Sequence, residues 1–552
     1  MPAKKPVYIF VSGGVLSGLG KGVTAASIGL LFQARGYKVT PVKCENYLNV
    51  DSGLINPIEH GDPFLCEDGT EADMDMGTYE KFLHKDVMRH NFITMGQIYQ
   101  EVIRRERNFE YKGEDVEAVP HVTDEIIRRI REAGKKEQAD VVVVELGGTA
   151  GEYQNILYYE ASRILKIVHK EAVAHVHVSY LPTPEHLGEP KTKPTQLSVK
   201  VLQSMGIQPD FVVCRGKKAI DRRRRERLAM FCNVEADHVI NNPDEPSAYG
   251  VPLIFEEQQF AQKLLTLLDL PDHKADLTAW EKLVAQINNS RKQTVEIAIV
   301  GKYFATGEYE LRDSYAALLD ALDHAGWRQG VSMLPRFINS DRIEKGEQIE
   351  KLLGGVKGVI VPIGWGPRGV EGKISAIKYA REHRIPYLGL CYGMQLAVVE
   401  FARHVLGFTD AHTTECDPNT KHPVIHLIPS QKDKMERRAY GGTMRLGNWD
   451  CKVKEDSLAF QIYEKYKSFK KDHIVGERHR HRYEFNDEFT KLIETAGMQV
   501  SGRSVVENLG EIIELPKELH PFFLGTQFHP EYKSRPLSPH PIFLSFVEAC
   551  LR

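Results

Sequence analysis

Short apolar runs alternate with longer segments of helical spacing along most of this chain. Over residues 1–270 the runs Val7–Val11, Lys38–Lys43, Val141–Leu146, Val173–Tyr180 and Phe211–Arg215 are rich in β-branched residues and read as strands. Runs such as VVVVEL show no polar alternation, as expected of strands covered on both faces in a parallel sheet. Between the first two, TAASIGLLFQARG combines strong helix formers with a stop at Gly36. Strand–helix alternation of this kind predicts a doubly wound α/β domain. Residues 269–294 are polar and turn-rich, with one amphipathic segment, and read as a linker. Alternation then resumes with VEIAIVGK at 295–302, GVIVPIG at 358–364, YLGLC at 387–391 and FFLGTQFHP at 522–530. The expected division is an α/β domain over 1–270, a linker over 271–293 and a second α/β domain over 294–552.

Composition narrows the picture by exclusion. With 72 Lys+Arg against 75 Asp+Glu the net charge is −3, so nothing global points to nucleic acid or a membrane surface. The opening MPAKKPVYIFVSGG runs straight into glycines and reads as a first strand, with no cleavage site of a signal peptide. No stretch approaches the ~20 apolar residues of a membrane span. The eight cysteines are scattered without a CxxC pair, which fits a reducing cytoplasm and neither a disulfide framework nor a zinc site.

Two motifs carry chemistry. The first is GGVLSGLGKG at 13–22, directly after the first strand. A glycine-rich loop between strand and helix lets backbone N–H groups converge on phosphate oxygens, and Lys21 adds a mobile charge. The residue after Lys21 is Gly22, so the usual Ser/Thr metal ligand is missing and carboxylates must hold Mg²⁺. Asp75 in EADMDMG and Glu145 at the end of VVVVE are the candidates, although either alone reads equally well as a solvated carboxylate. LGEPKTKPTQ offers Lys191, Lys193 and Gln196 between Pro190 and Pro194, able to meet a triphosphate and a base edge; read blind, it is more often a basic surface loop. The run DRRRRE at 221–226 is usually a solvated helix face. Lys43 ends a strand near the phosphate loop as a second phosphate lysine.

The second motif is GLCYGMQ around Cys391, paired with QFHPE at 527–531. An apolar strand running into Cys-Tyr-Gly predicts a sharp strand-to-helix turn that exposes the thiol at a helix N-terminus. His529 is then the base and Glu531 its orienting carboxylate, with Gly364 and Gly366 in PIGWGPRGVEG placed to present N–H groups to an oxyanion. Together the motifs describe ATP-driven amidation with a built-in ammonia source.

GGVLSGLGKG, NVD at 49–51, EADMDMG, ELGGTAG, KTKPTQ, FCNV at 231–234, RGVEGK, GLCYGMQ, GGTMRLG, RHRHRYE and QFHPE together resemble the CTP synthase family, from Val7 to the C-terminus. KTKPTQ and GGTMRLG are specific to that family, whereas GLCYGMQ with QFHPE alone would mark only a class I glutamine amidotransferase domain. The resemblance implies a P-loop-type synthase domain, similar to dethiobiotin synthetase, joined to a glutamine amidotransferase domain. It implies that ATP phosphorylates O4 of UTP and that ammonia from glutamine, carried internally, displaces the phosphate to give CTP. It implies an ATP site at Gly18, Leu19, Gly20, Lys21, Gly22, Val23, Asp75, Pro243, Asp244 and Glu245, with Asp75 and Glu145 on Mg²⁺ and Lys43 serving phosphoryl transfer. Ser17, Glu152, Tyr153, Gln154, Lys191, Thr192, Lys193, Pro194, Thr195, Gln196 and Arg227 are the implied UTP and CTP site. Gly364, Tyr392, Gly393, Met394, Gln395, Glu415 and Arg482 are the implied glutamine pocket, beside the triad Cys391, His529 and Glu531. His60 resembles an ammonia-gate residue, and Arg368 lies in a segment similar to a GTP-responsive lid. The family further implies GTP activation, CTP feedback, a homotetramer with possible filaments, and a cytoplasmic location.

The chain departs from the family pattern in places. GEYQ at 151–154 stands where GDIE is usual, so Gln154 replaces a carboxylate. Arg227 replaces a lysine, Pro243 stands where a lysine is common, CYGMQ replaces CLGMQ and IGWG replaces GGFG. None removes a group that the reaction requires; they bear on CTP feedback and nucleotide preference. An amidase-coupled ligase acting on another acid and a non-catalytic nucleotide-sensing scaffold are the alternatives. KTKPTQ argues against the first, and intact Lys21, Cys391, His529 and Glu531 argue against the second.

Overall fold

The computed structural model describes residues 5–56, 61–186, 188–302, 305–306, 309–310 and 312–552. The chain forms two compact units. One takes in the chain up to Asp51 together with Asp75–Val284; the other holds Ser52–Met74 with Ala285–Arg552.

The first unit is built on seven strands: β1 (Val7–Gly14), β2 (Val39–Glu45), β3 (Phe92–Thr94), β4 (Val141–Leu146), β5 (Val173–Tyr180), β6 (Phe211–Gly216) and β7 (Val239–Pro243). They lie in the order β3-β2-β4-β1-β5-β6-β7, every pair parallel. β1, β2 and β4 are buried at every position, which explains their unbroken apolar composition. Helix α1 (Lys21–Gln33) follows β1. The C-terminal strand ends therefore share one edge of the sheet, where ligands bind in doubly wound folds.

The second unit has a nine-stranded sheet: β8 (Thr294–Gly301), β9 (Ser332–Asn339), β10 (Val359–Val361), β11 (Tyr387–Leu390), β12 (Arg445–Val453), β13 (Ile474–His481), β14 (Gln499–Ser504), β15 (Gly510–Leu515) and β16 (Phe523–Thr526). Their order is β9-β8-β10-β11-β16-β15-β14-β12-β13. The first five are parallel, and the remainder adds on antiparallel. Short helices, Leu458–Lys465 and Thr490–Thr495, lie between β12, β13 and β14, and only β14 and β15 form a tight hairpin, so strand–helix alternation does not distinguish this antiparallel half from a parallel one.

The division differs from the sequence expectation in two places. Ser52–Met74, with its small hairpin of Phe64–Leu65 and Glu71–Ala72, groups with the second unit. The stretch 271–293 holds a helix, Thr278–Ser290, whose Trp280, Leu283 and Ile287 stripe is buried; the Trp280 indole donates to Tyr249 O at 2.7 Å. The apolar spacing there is a packing face and not a linker's incidental amphipathicity.

Candidate active sites

In the second unit, β11 ends at Leu390 and α2 (Tyr392–His404) begins with a single residue between them. Cys391 bridges them at φ 52°, ψ −98°, a conformation that costs a non-glycine residue of order 1–3 kcal/mol. The elbow is held because Cys391 N donates to Thr526 O at 2.7 Å. It needs glycine on both sides: a Cβ on Gly393 would meet Val361 O at 1.9 Å, and one on Gly389 would meet the Tyr387 hydroxyl at 2.7 Å. As a thiol, Sγ donates to Arg480 O at 3.8 Å, and it accepts from Gln527 Nε2 at 3.5 Å.

His529 and Glu531 follow β16. Nδ1 of His529 donates to Glu531 Oε1 at 2.8 Å, and Nε2 has no hydrogen-bond partner among the described residues. The ring is fully buried. Burial by itself lowers an imidazole's affinity for a proton; the negative charges of Glu531 and Cys391 overcome it and push His529 up to about 10. The arrangement favours a protonated imidazole at His529.

The predicted glutamine-pocket residues divide into two kinds. The Glu415 carboxylate accepts from Gly366 N at 2.7 Å, and burial raises its pKa against that bond and against Lys302. The Tyr392 hydroxyl donates to Gly366 O at 3.0 Å. Arg482 reaches Gln431 Oε1 at 2.6 Å, Tyr440 O at 2.6 Å and Thr443 Oγ1 at 2.9 Å. Met394 and Gln395 turn away: Met394 packs in the apolar core, and Gln395 Nε2 donates to Tyr483 O at 2.9 Å and Gln527 Oε1 at 3.1 Å. Arg368 is exposed and donates to Lys302 O at 2.8 Å.

Two lysines flank Tyr392 that sequence reasoning did not single out. Lys302 Nζ donates to the carbonyls of Trp365, Gly366 and Arg368, the last two at 3.1 Å, and so shapes the 364–368 turn. Lys373 is fully buried, with Nζ 2.9 Å from where a Cβ on Gly364 would stand and 5.2 Å from the Tyr392 ring centre. Burial and then Lys302 hold its ammonium well below the usual lysine range. RGVEGK was visible as a motif, but nothing in the spacing says its lysine folds under a glycine 9 residues earlier.

The segment borrowed from the first half of the chain is built into this unit by charge. Arg480 pairs with Glu71 at 2.6 Å and Asp62 at 3.4 Å; Arg478 pairs with Glu67 at 2.9 Å and donates to Leu65 O at 2.9 Å. The Tyr532 hydroxyl donates to Asp62 Oδ2 at 3.1 Å and packs its ring on His529, 5.2 Å between centres. Burial raises the Asp62 carboxyl against the pull of Arg480. His60 lies outside the described residues.

In the first unit, Gly18 (φ 70°) and Gly20 (φ 81°) take left-handed backbone and turn the loop into α1. The Lys21 stem folds over Gly13, where a Cβ would stand 2.7 Å from Cδ, and Nζ donates to Gly148 O at 2.7 Å. Lys43 Nζ sits between Asp75 Oδ2 at 2.5 Å and Glu145 Oε1 at 2.8 Å, and the Tyr79 hydroxyl bonds the other Glu145 oxygen. Burial raises the Glu145 carboxyl; for Asp75 the two lysines outweigh burial and lower it. Asp75 packs against Gly22, where a Cβ would meet its Oδ1 at 2.8 Å. Asp75 and Glu145, joined by Glu45 at 3.2 Å, already share one cation at the phosphate loop, and such a set of carboxylates fits a hard divalent ion. Among the described residues no three His, Cys, Asp or Glu side chains could hold a metal, so an ion here needs phosphate or water oxygens as well.

The remaining nucleotide candidates lie along the same strand ends. Ser17 is exposed and Leu19 buried, with Val23 half-buried in α1. The loop after β4 is ordered by Glu152, which accepts from Thr149 N at 2.8 Å and from Asn46 Nδ2 at 3.1 Å, leaving Tyr153 and Gln154 exposed. Pro194 sits in the first turn of helix Lys193–Ser204, Thr195 Oγ1 accepts from Ser179 Oγ at 3.0 Å, and Gln196 Nε2 donates to Thr192 Oγ1 at 3.1 Å. Lys191 pairs with Glu189 at 2.5 Å. DRRRRE begins a helix, Arg222–Cys232, capped by Asp221; Arg224 joins Glu189 at 2.6 Å, and Arg227 is exposed over Phe231. Pro243 closes β7, and Asp244 pairs with Arg215 at 2.6 Å, with Glu245 exposed beside it.

A phosphate-loop unit joined to a unit bearing a cysteine elbow with His and Glu defines a two-site ligase of the glutamine amidotransferase class. The family model described as the CTP synthase N-terminus matches residues 7–270, and that of class I glutamine amidotransferases matches 310–549. The CTP synthase of Caldanaerobacter subterraneus is 47% identical over 545 residues, covering 99% of this chain and 98% of its own. That of Pyrococcus furiosus is 47% identical, covering 98% of this chain and 97% of its own. A solved glutaminase domain of Trypanosoma brucei CTPS with bound acivicin is 35% identical, covering 47% of this chain and 94% of its own at a TM-score of 0.41. The chain belongs to the CTP synthase family: it is a glutamine-hydrolysing ligase that aminates UTP to CTP, with ATP as substrate, in pyrimidine biosynthesis. Among the described residues no helix is long and apolar enough to cross a membrane.

Proposed function

We propose that Cys391 is the nucleophile that releases ammonia from glutamine, with His529 as its proton carrier and Glu531 as the orienting carboxylate. The observation that carries this reading is the buried His529–Glu531 bond at 2.8 Å beside a strained cysteine elbow. Sγ attacks the side-chain carbonyl carbon of glutamine; the C–N bond breaks and the nitrogen leaves as ammonia with the proton of His529. Water then attacks the thioester, giving its proton back to His529, and glutamate departs with the thiol restored. Backbone N–H groups near Gly364, Gly393 and Met394 stabilise the oxyanion, while Glu415 and Arg482 receive the amino acid's charged ends.

In the first unit, Gly18–Val23 cradle the ATP phosphates through backbone N–H groups, and Pro243, Asp244 and Glu245 border the adenine. Asp75 and Glu145 would hold Mg²⁺, which supplies charge neutralisation at the phosphates. Lys43 then turns from these carboxylates to the transferring phosphoryl group. Ser17, Glu152–Gln154, Lys191–Gln196 and Arg227 form the UTP and CTP site. ATP phosphorylates O4 of UTP, ammonia adds at C4, and phosphate leaves. His60 gates the ammonia, and Arg368 belongs to the segment that answers GTP. The working divisions are a synthase domain over 1–270, a connecting stretch over 271–293 whose helix packs on Tyr249, and an amidotransferase domain over 294–552, with Ser52–Met74 serving the latter. The enzyme acts in the cytoplasm as a homotetramer able to form filaments, activated by GTP and inhibited by CTP.

The test is a CTP absorbance assay with UTP, ATP and Mg²⁺, supplied with glutamine or ammonia. Cys391→Ala abolishes CTP formation from glutamine and leaves formation from ammonia in place. Loss of both in a folded protein would sink the two-site assignment.

A further inference from the structure

We propose that Gln527 is a catalytic residue of the glutaminase site: its side-chain N–H donates to Cys391 Sγ and holds the negative charge carried by the sulfur. The proposal rests on Cys391 being the nucleophile.

The orientation of the amide is dictated by its neighbours. The main-chain oxygen of Tyr483 can only accept, so Gln395 must present Nε2 to it, at 2.9 Å. The same Nε2 reaches Gln527 at 3.1 Å, which requires an oxygen there. Gln527 therefore points its own Nε2 at the sulfur, 3.5 Å away. A flipped amide would set two donors against each other and leave its oxygen facing the anion. The backbone is fixed as well: Gln527 N donates to Glu511 O at 2.8 Å, and Cys391 N to Thr526 O at 2.7 Å. Gln527 is 1% exposed and Gln395 3%, so no water competes for these bonds.

The role differs from that of His529. An imidazolium gives up its proton when ammonia departs, and its charge goes with it. A neutral amide N–H is never transferred. It is present when the sulfur attacks and again when the thioester breaks and the sulfur recovers the charge. This also explains why Gln395 is spent behind the nucleophile and not in the glutamine pocket.

The experiment measures, in the full-length enzyme, the rate of alkylation by iodoacetamide at neutral pH and the kcat and KM for glutamine. Cys391→Ala, scanned in parallel, identifies the thiol being alkylated. Gln527→Leu is expected to lower both the alkylation rate and kcat by about ten- to a hundred-fold, the span of a hydrogen bond to a charged group, with KM little changed. Gln527→Glu keeps the shape but sets an acceptor against the sulfur, so its loss should be larger. Gln395→Leu leaves the donor unanchored and should give a smaller loss of the same kind. Rates within two-fold of the parent in Gln527→Glu, or equal losses in the Leu and Glu variants, would overturn the proposal, since shape and not the donated hydrogen would then be what matters. If Cys391→Ala leaves alkylation and glutamine use intact, it is the assignment of the nucleophile that fails.

Discussion

The two sites of this enzyme treat charge in opposite ways. Around Cys391 nearly everything is dry: its side chain is 2% exposed, His529 is fully buried, and each carboxylate meets a fixed partner. Around Lys21 the loop residues Val15–Gly18 are exposed, and the cations Lys21 and Lys43 are occupied by protein oxygens. On the proposed assignment the first site acts on a small amide, and its electrostatics are assembled before the substrate arrives. On the same assignment the second receives two triphosphates, and its positive charge is held on local carboxylates until they arrive. Preorganisation suits the site where charge develops in the reaction; exchangeable partners suit the site where charge arrives with the ligand.

The largest effect that tests this contrast is at Lys21. Lys21→Ala should reduce CTP formation from both glutamine and ammonia by about 10²-fold or more, the scale of losing one charge-stabilising donor. Intact glutaminase turnover in the same variant would show that the sites are electrostatically separate; equal loss of glutaminase turnover would break the comparison.

Next comes the borrowed segment. Glu71→Gln removes the carboxylate paired with buried Arg480 at 2.6 Å, and should destabilise the second unit by about 3 kcal/mol in chemical denaturation, the lower end for breaking a buried pair. Because Arg480 O faces the thiol at 3.8 Å, glutamine turnover should fall before the unit unfolds. A variant with unchanged stability would mean the segment is only draped on this unit.

Lys43→Met should cost about 3 kcal/mol in the first unit, since Glu145 would remain buried without its ammonium. Added Mg²⁺ with nucleotide should recover a large part of that loss, read as a shift in melting temperature. No recovery would argue that the two carboxylates do not share a cation.

The last test is the pH profile. With His529 held at about 10 against 6.5 unfolded, its proton stabilises the native second unit fully below the unfolded value, and that contribution disappears as pH rises through about 10. His529→Ala should flatten the alkaline limb of the stability curve. An unchanged limb would show that the His529–Glu531 pair is not ionised as described.

Much of this was legible before any coordinates. A continuous apolar run predicted β4 to the residue, because a strand buried on both faces favours that composition; β5 was bounded as closely, although its His175, His177 and Ser179 are buried too. Glycines around Lys21 and Cys391 marked both turns, since left-handed backbone and the 1.9 Å approach at Gly393 admit little else. The missing hydroxyl after Lys21 pointed to Asp75 and Glu145, and these two do converge on one ammonium. Local chemistry wrote itself locally.

The rest depended on what lies across the fold. β13 reads IVGERHRH, a string that resembles a solvated loop, yet it is buried almost throughout. Arg478 and Arg480 are tolerated inside because Glu67 and Glu71, some four hundred residues earlier, supply their counter-charges. The same holds for Gln395, aimed away from the pocket by Tyr483 and Gln527. The sequence alone determined which residues have the conformational freedom and chemistry for a phosphate loop and a nucleophile elbow. Only the tertiary structure decided which buried charges find partners, because burying a charge is settled by whatever oxygen or nitrogen the fold brings within hydrogen-bond reach.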